Sequence, residues 1–280
     1  MKVLVWGAQG MLGKDLVPTL ASKHQVFPRD IEDGDITDLN WVQKEIAALG
    51  PEVVINAAAY TNVDGCESNK ELAFSVNAEG PKNIAFGCAA SKARMIHLST
   101  DYVFDGTSLR PYREEDTPHP LNVYGSSKLL GEQYIQKTLR DHLIIRTEWL
   151  FGHHGKNFVE TILQKAGRRE DLKVVNDQRG SPTFTKDLSW AISCLLEKGA
   201  RGILHVTNSG CCTWYELARR ILQEKRIHDI SLTSLSSAKL ARPAQRPANS
   251  VLDCQKLEQL LGQEMRPWEE ALHEYCAGEG

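Results

Sequence analysis

Residues 2–13 read KVLVWGAQGMLG, an apolar five-residue run that leads directly into glycines at positions 7, 10 and 13. The run predicts a short buried β-strand, and the residues after the turn predict an amphipathic helix. In this setting Gly7 allows a tight turn, Gly10 lets the backbone approach a pyrophosphate, and Gly13 opens the helix. The stretch therefore predicts a dinucleotide-binding strand, turn and helix, with a plain tight turn as the alternative.

The rest of the first half repeats this alternation of strand and helix. Short apolar runs lie at 25–27, 53–56, 94–99 and 142–146, and helical patterns separate them. Strands that alternate with helices indicate a parallel sheet covered on both faces. We therefore expect an α/β fold, a Rossmann-like doubly wound parallel sheet, with a smaller C-terminal substrate-binding lobe. The expected domains are 1–150 and 151–280, with some segments of the second half returning to the sheet.

Composition excludes several classes of protein. The 280 residues carry a net charge of -3, which gives no general field for nucleic acid or an anionic membrane. No apolar run approaches the length that spans a bilayer, and the N-terminus does not resemble a signal peptide, so we expect a cytoplasmic protein. The seven cysteines are scattered without Cys-x-x-Cys spacing, which argues against a disulfide framework and a zinc site.

The end of the second strand, VFPRDIEDGDITD at 26–38, is where a Rossmann fold reads the cofactor ribose. Arg29 favours a 2′-phosphate and Asp30 favours a free hydroxyl, and we expect a slight preference for NADPH over NADH. Asp35 and Ile36 are candidates to cover the adenine, although Asp35 could instead cap the following helix.

The third strand runs into NAAAYTNVD at 56–64. Small side chains at the carboxyl edge of a parallel strand leave room for a flat cofactor, so Ala58, Ala59 and Tyr60 are candidate cofactor residues. Alanines that pack a helix against the sheet are the alternative.

The stretch NVYGSSKLLG at 122–131 places Tyr124 and Lys128 four residues apart. With Pro120 in the first helical turn, both side chains would share one helix face. A neighbouring ammonium stabilises a phenolate, so Lys128 would lower the pKa of Tyr124 and make it an acid-base catalyst. The spacing alone arises often by chance, but Gly125 inside the helix suggests a close approach to another element.

A hydroxyl-rich strand end, HLSTDYVFDG at 97–106, lies upstream of this pair. Ser99, Thr100 and Asp101 would lie on the same side of the sheet as the glycine turn. A hydroxyl there could donate a hydrogen bond to a substrate carbonyl. For either Ser99 or Thr100, the alternative is a local hydrogen bond that ends the strand.

In their order and spacing these motifs resemble the dTDP-4-dehydrorhamnose reductase family of the extended short-chain dehydrogenases/reductases. The resemblance extends through RTEWLFG at 146–152, DQRGSPTFTKDLS at 177–189, TWYELA at 213–218 and RPANSVLD at 246–253. It implies reduction of the C4 ketone of dTDP-6-deoxy-L-lyxo-4-hexulose to dTDP-L-rhamnose by NADPH or NADH. Its partner would be a dTDP-sugar substrate, with no nucleic acid and no membrane.

The resemblance also implies roles for individual residues. Tyr124 would donate the proton, Lys128 would hold the nicotinamide ribose and Thr100 would assist. Asp101 and Trp149 match positions near the sugar nucleotide, and Gly10, Met11 and Leu12 match the pyrophosphate turn. Some members dimerise through magnesium held by glutamates, so a homodimer and Mg²⁺ are compatible with the resemblance, although no metal ligands can be assigned.

Other features leave alternatives open. Arg242 and Arg246, in a proline-stiffened loop, are candidate partners of the substrate phosphates, with a solvated loop as the alternative. Trp149 could stack on a sugar or base, or simply pack. A nucleotide-sugar epimerase or dehydratase uses the same Tyr–Lys pair. A regulatory subunit like the methionine adenosyltransferase beta subunit shares the fold, but would not need Tyr124, Lys128 and Thr100 together.

Overall fold

The computed structural model describes residues 1–278. Its strands in chain order are β1 Lys2–Trp6, β2 Gln25–Arg29, β3 Val53–Asn56, β4 Arg94–Thr100, β5 His142–Thr147, β6 Leu150–Phe151, β7 Leu172–Val175, β8 Arg179–Gly180, β9 Thr183–Phe184, β10 Gly202–His205, β11 Cys212–Thr213 and β12 Leu232–Leu235. The helices are α1 Gly13–Ala21, α2 Leu39–Leu49, α3 Val63–Ser68, α4 Lys70–Phe74, α5 Gly80–Ser91, α6 Val123–Thr138, α7 Phe158–Gly167, α8 Thr185–Glu197, α9 Trp214–Glu224, α10 Gln255–Leu261 and α11 Trp268–Ala277.

Six strands form one sheet in the order β10-β5-β4-β3-β1-β2, and every pair in it is parallel. The chain moves from β1 to β2 on one side and then returns to the other side of β1 with β3. This reversal opens a crevice at the carboxyl ends of β1 and β3, where open α/β sheets bind ligands. The predicted fold class, a doubly wound parallel sheet of Rossmann type, is confirmed.

The two faces of the sheet carry separate cores. One face packs α1 and α8 against alternate residues of β1, β3 and β4, including Val3, Ile55 and Ile96. The other face packs α2, α5 and α6, with Leu4 and Val54 at its centre. Strand residues are therefore buried on both sides, which explains why these runs are continuously apolar in the sequence.

The second half of the chain contributes to two places. Strand β10 pairs within the large sheet and helix α8 packs against one of its faces. Helix α10 packs into the core on that face through Leu257. Part of the second half of the chain therefore belongs to the same sheet as the first half. A separate core forms from α7, α9, α11 and short strands, with Phe151, Phe184 and Trp268 buried in it. The boundary at residue 150 stays a prediction. Between residues 1 and 278, no helix combines the length and hydropathy that crossing a bilayer requires.

One predicted boundary is wrong in detail. Helix α6 begins at Val123, and Asn122 caps it by accepting a hydrogen bond from the Gly125 N–H at 2.8 Å. Pro120 therefore precedes the helix and does not form its first turn. An asparagine cap offers an acceptor to the free N–H groups of the first turn, which proline cannot do.

Candidate active site

A cleft of about 710 Å³ lies at the carboxyl ends of the central strands. Its lining brings together the glycine turn, the end of β4 and the start of α6, although these segments are far apart in sequence. Of the predicted residues, it is lined by Gly7, Gly10, Met11, Leu12, Gly13, Ala59, Ser99, Thr100, Asp101, Tyr124, Lys128 and Trp149. The catalytic candidates and the predicted pyrophosphate turn thus share one site.

The glycine turn has the geometry that a dinucleotide needs. Gly7 has φ +81°, a conformation that L side chains rarely adopt, and a Cβ there would lie under 3.0 Å from the backbone of Ala57. The N–H groups of Gly7 and Ala8 donate to the Arg29 carbonyl at 3.0 and 3.1 Å, which ties the turn to β2. Because the turn presents backbone without side-chain bulk at the start of α1, it fits a pyrophosphate.

The two hydroxyls at the end of β4 have different surroundings. Ser99 donates to the buried carboxylate of Glu132 at 2.5 Å, so its hydroxyl is used within the fold. Thr100 lines the cleft, donates to Asp101 Oδ1 at 2.9 Å and accepts from the Tyr102 N–H at 3.2 Å. Both hydroxyls line the cleft and both donate to carboxyl groups, but Asp101, the partner of Thr100, itself lines the cleft, whereas Glu132, the partner of Ser99, is held by Arg146. Thr100 therefore stays the candidate hydroxyl for a ligand.

Tyr124 is half-buried in the first turn of α6, with Tyr102 packed edge-on against its ring at 5.7 Å between centroids. Burial raises the pKa of Tyr124, and a hydrogen bond with the Thr100 hydroxyl acts in the opposite direction. The predicted lowering of this pKa by Lys128 stays a prediction. The phenol is fully protonated at neutral pH and is available as a proton donor.

Lys128 is buried one helical turn further along α6. Its Nζ donates to the Leu98 carbonyl at 2.6 Å and lies 3.5 Å from His97 Nε2. Burial lowers the pKa of Lys128 to about 8, while the Glu132 carboxylate raises it. The side chain therefore still carries its charge at neutral pH, at the floor of the cleft.

Two buried carboxyl groups face the same cleft. In the pairing of β4 with β5, Thr100 lies beside Thr147, so the next residues, Asp101 and Glu148, are neighbours. Glu148 accepts from Ser250 Oγ at 3.0 Å, and within the described chain Asp101 Oδ2 has no hydrogen-bond partner. Burial raises the pKa of Asp101 to about 6 and the pKa of Glu148 well above its usual value. Glu148 was missed in the sequence because only strand register places it next to Asp101.

An aromatic wall separates the cleft from a second pocket of about 330 Å³. Trp149 has φ +48° and stacks on Trp214, with 3.5 Å between ring centroids. Trp149 lines the cleft, and Trp214 and Tyr102 line both spaces. Trp149 therefore packs on Trp214 and also lines the cleft, and its predicted contact with a ligand stays a prediction.

The second pocket contains both arginines of the proline-rich loop. Arg242 is exposed at its rim, together with Lys165 and Lys173. Arg246 forms a two-pronged ion pair with Asp64, at 2.8 and 2.9 Å, so much of its guanidinium is already used. Among residues 1–278 the Arg242 side chain forms no ion pair, whereas Arg246 is paired with Asp64, and the binding of a phosphate by either arginine stays a prediction.

The remaining cofactor candidates lie outside the cleft lining. Arg29 pairs with Glu45, and Asp30 accepts from the Gln9 N–H of the glycine turn. Asp35 accepts from the Thr37 N–H, while Asp38 and not Asp35 caps α2.

Ile36 is buried in the core against Gly80, and its role as an adenine cover stays a prediction. Ala58 packs into the same core, and the Tyr60 N–H donates to Asn77. Neither lines the cleft.

Several lining residues were not predicted. Gln9, His154 and Lys156 lie near the glycine turn, and Phe158 and Gln178 line the second pocket. Only Gln9 carried a local signal, because it lies inside the glycine motif. Among residues 1–278 no three His, Cys, Asp or Glu side chains are grouped as a metal site.

The family model described as the RmlD substrate binding domain matches residues 1–279. The chain is 42% identical to the spore coat polysaccharide biosynthesis protein SpsK of Bacillus subtilis, over 98% of this chain and 96% of that protein. It is 38% identical to a dTDP-4-dehydrorhamnose reductase of Aggregatibacter actinomycetemcomitans, over 97% of each. The crystal structure of dTDP-4-dehydrorhamnose reductase from Bacillus anthracis in complex with NADP superposes with a TM-score of 0.94, at 36% identity and 98% coverage of both chains. The chain thus belongs to the RmlD substrate binding domain family.

Proposed function

We propose that the protein reduces the C4 ketone of dTDP-6-deoxy-L-lyxo-4-hexulose (dTDP-4-dehydrorhamnose) to dTDP-L-rhamnose, as an oxidoreductase that uses NADPH or NADH. The observation that carries the proposal is the single cleft that joins Thr100, Tyr124 and Lys128 to the glycine turn. The relatives named as reductases support the same activity.

Each side chain has a chemical task in this proposal. When bound, the reduced nicotinamide supplies the hydride to C4. Tyr124 donates its phenolic proton to the C4 oxygen, and the raised pKa keeps that proton in place until the oxygen becomes basic. The Thr100 hydroxyl, whose own position Asp101 and the Tyr102 N–H fix, supports the carbonyl oxygen.

Lys128 stabilises the phenolate that Tyr124 leaves behind. Its ammonium is buried next to the end of β4, where Coulomb interactions are weakly screened. In this role Lys128 also holds the ribose next to the nicotinamide, which is the part played by the residue it matches in the family. The low polarity that reduces the pKa of Lys128 to about 8 also strengthens its field at Tyr124.

The second pocket suits the nucleotide half of the substrate. It adjoins the cleft at Tyr102 and Trp214, so one ligand can extend through both. Arg242, Lys165 and Lys173 offer positive charge to a diphosphate, and Phe158 and Trp214 offer flat apolar surface to a base. Trp149 and Asp101 would contact the sugar between them.

The geometry gives less support to the two alternatives. A binding subunit has no need for a proton donor, a buried ammonium and a free hydroxyl in one cleft. An epimerase or dehydratase is not favoured by the relatives, which are named as reductases. Dimerisation and dependence on Mg²⁺ stay predictions.

The test is oxidation of NADPH or NADH by the purified protein in the presence of dTDP-4-dehydrorhamnose, with product identified by mass spectrometry and NMR. Tyr124→Phe should reduce kcat by about 10²-fold or more, because it removes the proton donor. Tyr134→Phe is the matched control, since Tyr134 lies on the same helix outside the cleft. If wild-type protein with bound cofactor leaves the ketone unchanged, the proposed function is wrong.

A further inference from the structure

We propose that Glu45 and Asp30 make this protein select NADH over NADPH. The inference rests on the proposed function and concerns the cofactor that the same cleft accepts. It also reverses the slight preference for NADPH that Arg29 suggested in the sequence.

Arg29, the residue that favours a 2′-phosphate, is held by the protein itself. Its Nε donates to Glu45 Oε1 at 2.7 Å, and its Nη1 donates to the Pro28 carbonyl at 2.8 Å. The Arg29 and Glu45 side chains are only 27% and 20% exposed, so solvent screens this ion pair incompletely. Binding a 2′-phosphate through Arg29 would require breaking the pair or adding a dianion next to the Glu45 carboxylate.

Asp30 occupies the place from which an acidic residue reads a free ribose hydroxyl. It directly follows β2, and its Oδ2 accepts from the Gln9 N–H at 2.7 Å while its Oδ1 accepts from the Ile31 N–H at 2.9 Å. The carboxylate is therefore fixed against the glycine turn that receives the pyrophosphate. Each oxygen retains a lone pair for a hydroxyl donor, whereas a phosphate has only acceptors and negative charge to offer.

The residues around Asp30 also favour a free ribose hydroxyl over a 2′-phosphate. Residues 30–38 contain five acidic side chains and no basic one. The Asp30 N–H is itself occupied, because it donates to Asp33 Oδ2 at 2.9 Å. A 2′-phosphate placed beside this segment would be repelled by these carboxylates, and Glu45 already balances the charge of Arg29.

The relative from Bacillus anthracis was crystallised with NADP, so the fold accommodates a 2′-phosphate. The inference concerns the side chains of this chain, above all the pairing of Arg29 with Glu45. It predicts that the preference can be changed without altering the cleft, because neither residue lines it.

The test is isothermal titration calorimetry of NADH and NADPH with the full-length protein, without substrate. Wild-type protein should bind NADH about tenfold more tightly than NADPH. Glu45→Gln should release Arg29 and tighten NADPH binding by about fivefold while leaving NADH unchanged, and adding Arg29→Ala should abolish that gain. Glu79→Gln is the matched control, since it breaks a comparable ion pair, with Lys82 at 2.8 Å, on another helix.

The double variant Arg29→Ala with Glu45→Gln provides a second measurement, because it removes both charges of the pair. Its NADPH affinity should stay within about twofold of that of wild-type protein. Equal or tighter binding of NADPH by wild-type protein, or a large loss of NADPH affinity in the double variant, would overturn the inference and leave the reductase proposal intact. Absence of binding by either dinucleotide would instead refute the proposed function.

Discussion

Gly125 provides a direct test of how the active site is assembled. It lies in the first turn of α6, one residue after Tyr124, and is buried. A Cβ at Gly125 would fall well under 3.0 Å from the Tyr102 carbonyl oxygen and would also press on Pro120. Tyr102 belongs to the turn that follows Thr100, so Gly125→Ala pushes the helix that carries Tyr124 away from the strand that carries Thr100.

The expected size follows from two opposing effects. Alanine is a better helix former than glycine by about 1 kcal/mol, which favours the variant. Overpacking against backbone costs about 1–3 kcal/mol, because a carbonyl in a tight turn cannot rotate away as a flexible side chain can. The net result is a loss of up to about 2 kcal/mol, or up to about 4 °C in melting temperature. Catalysis should suffer more, because a displacement of about 1 Å between reacting groups can cost about 10²-fold in rate.

The assay is thermal and urea unfolding together with kcat for the ketone. The matched control is Gly167→Ala at the end of α7, where a Cβ would meet nothing within 4 Å. This variant should be as stable as wild type or up to about 1 kcal/mol more stable, with unchanged kcat. If Gly125→Ala keeps full stability and full kcat, the close approach of α6 to the Thr100 turn does not position Tyr124.

Two predictions concern pH. Because burial lowers the pKa of Lys128 to about 8, kcat/KM should fall as pH rises through about 8. Lys128→Met should be slower at every pH and should not show that decline. The same decline in the variant would contradict the assignment of this pKa to Lys128. Burial raises the pKa of Asp101 from 3.8 to about 6, so the folded state is unpenalised below about pH 4 and loses stability as pH rises towards 6. Asp101→Asn should therefore gain up to roughly 3 kcal/mol in unfolding free energy relative to wild type at about pH 7.5 and nothing near pH 4; urea unfolding at both pH values measures this, and a gain independent of pH would refute it.

The parts of the fold that the sequence predicts are those with local causes. The apolar run 2–6, the glycines after it and the later buried strands each signal their structure within a few residues. Gly125 likewise indicated a close approach, and the Tyr102 carbonyl is the group that makes it necessary. The short strands β6, β8, β9 and β11 have two residues each and carry no periodicity, so only tertiary packing could reveal them.

The contacts that the site predictions did not anticipate come from partners that are distant in sequence. From the sequence, Arg246 is predicted to be free to bind a phosphate. In the fold, Asp64, which is 182 residues away in the sequence, lies against its guanidinium. Arg29 is paired in the same way, because the fold places Glu45 of α2 against its guanidinium. A charged residue in a motif therefore predicts a ligand contact only if no side chain of opposite charge pairs with it in the fold. The sequence does not show which side chains will form such pairs.

Glu132 helps to hold helix α6, which carries Tyr124 and Lys128, in place against the strands of the sheet. It lies on α6 two turns beyond Tyr124 and one beyond Lys128, and in the sequence it resembles any exposed helix residue. The register of β4 with β5 places Ser99 beside Arg146, and the buried Glu132 carboxylate accepts from Ser99 at 2.5 Å and from Arg146 at 2.7 and 3.0 Å. Because removing one member of such a buried pair costs about 3–5 kcal/mol, α6 cannot slide relative to either strand. The position of Tyr124 relative to Thr100 is thus maintained by charges that do not touch the reacting atoms.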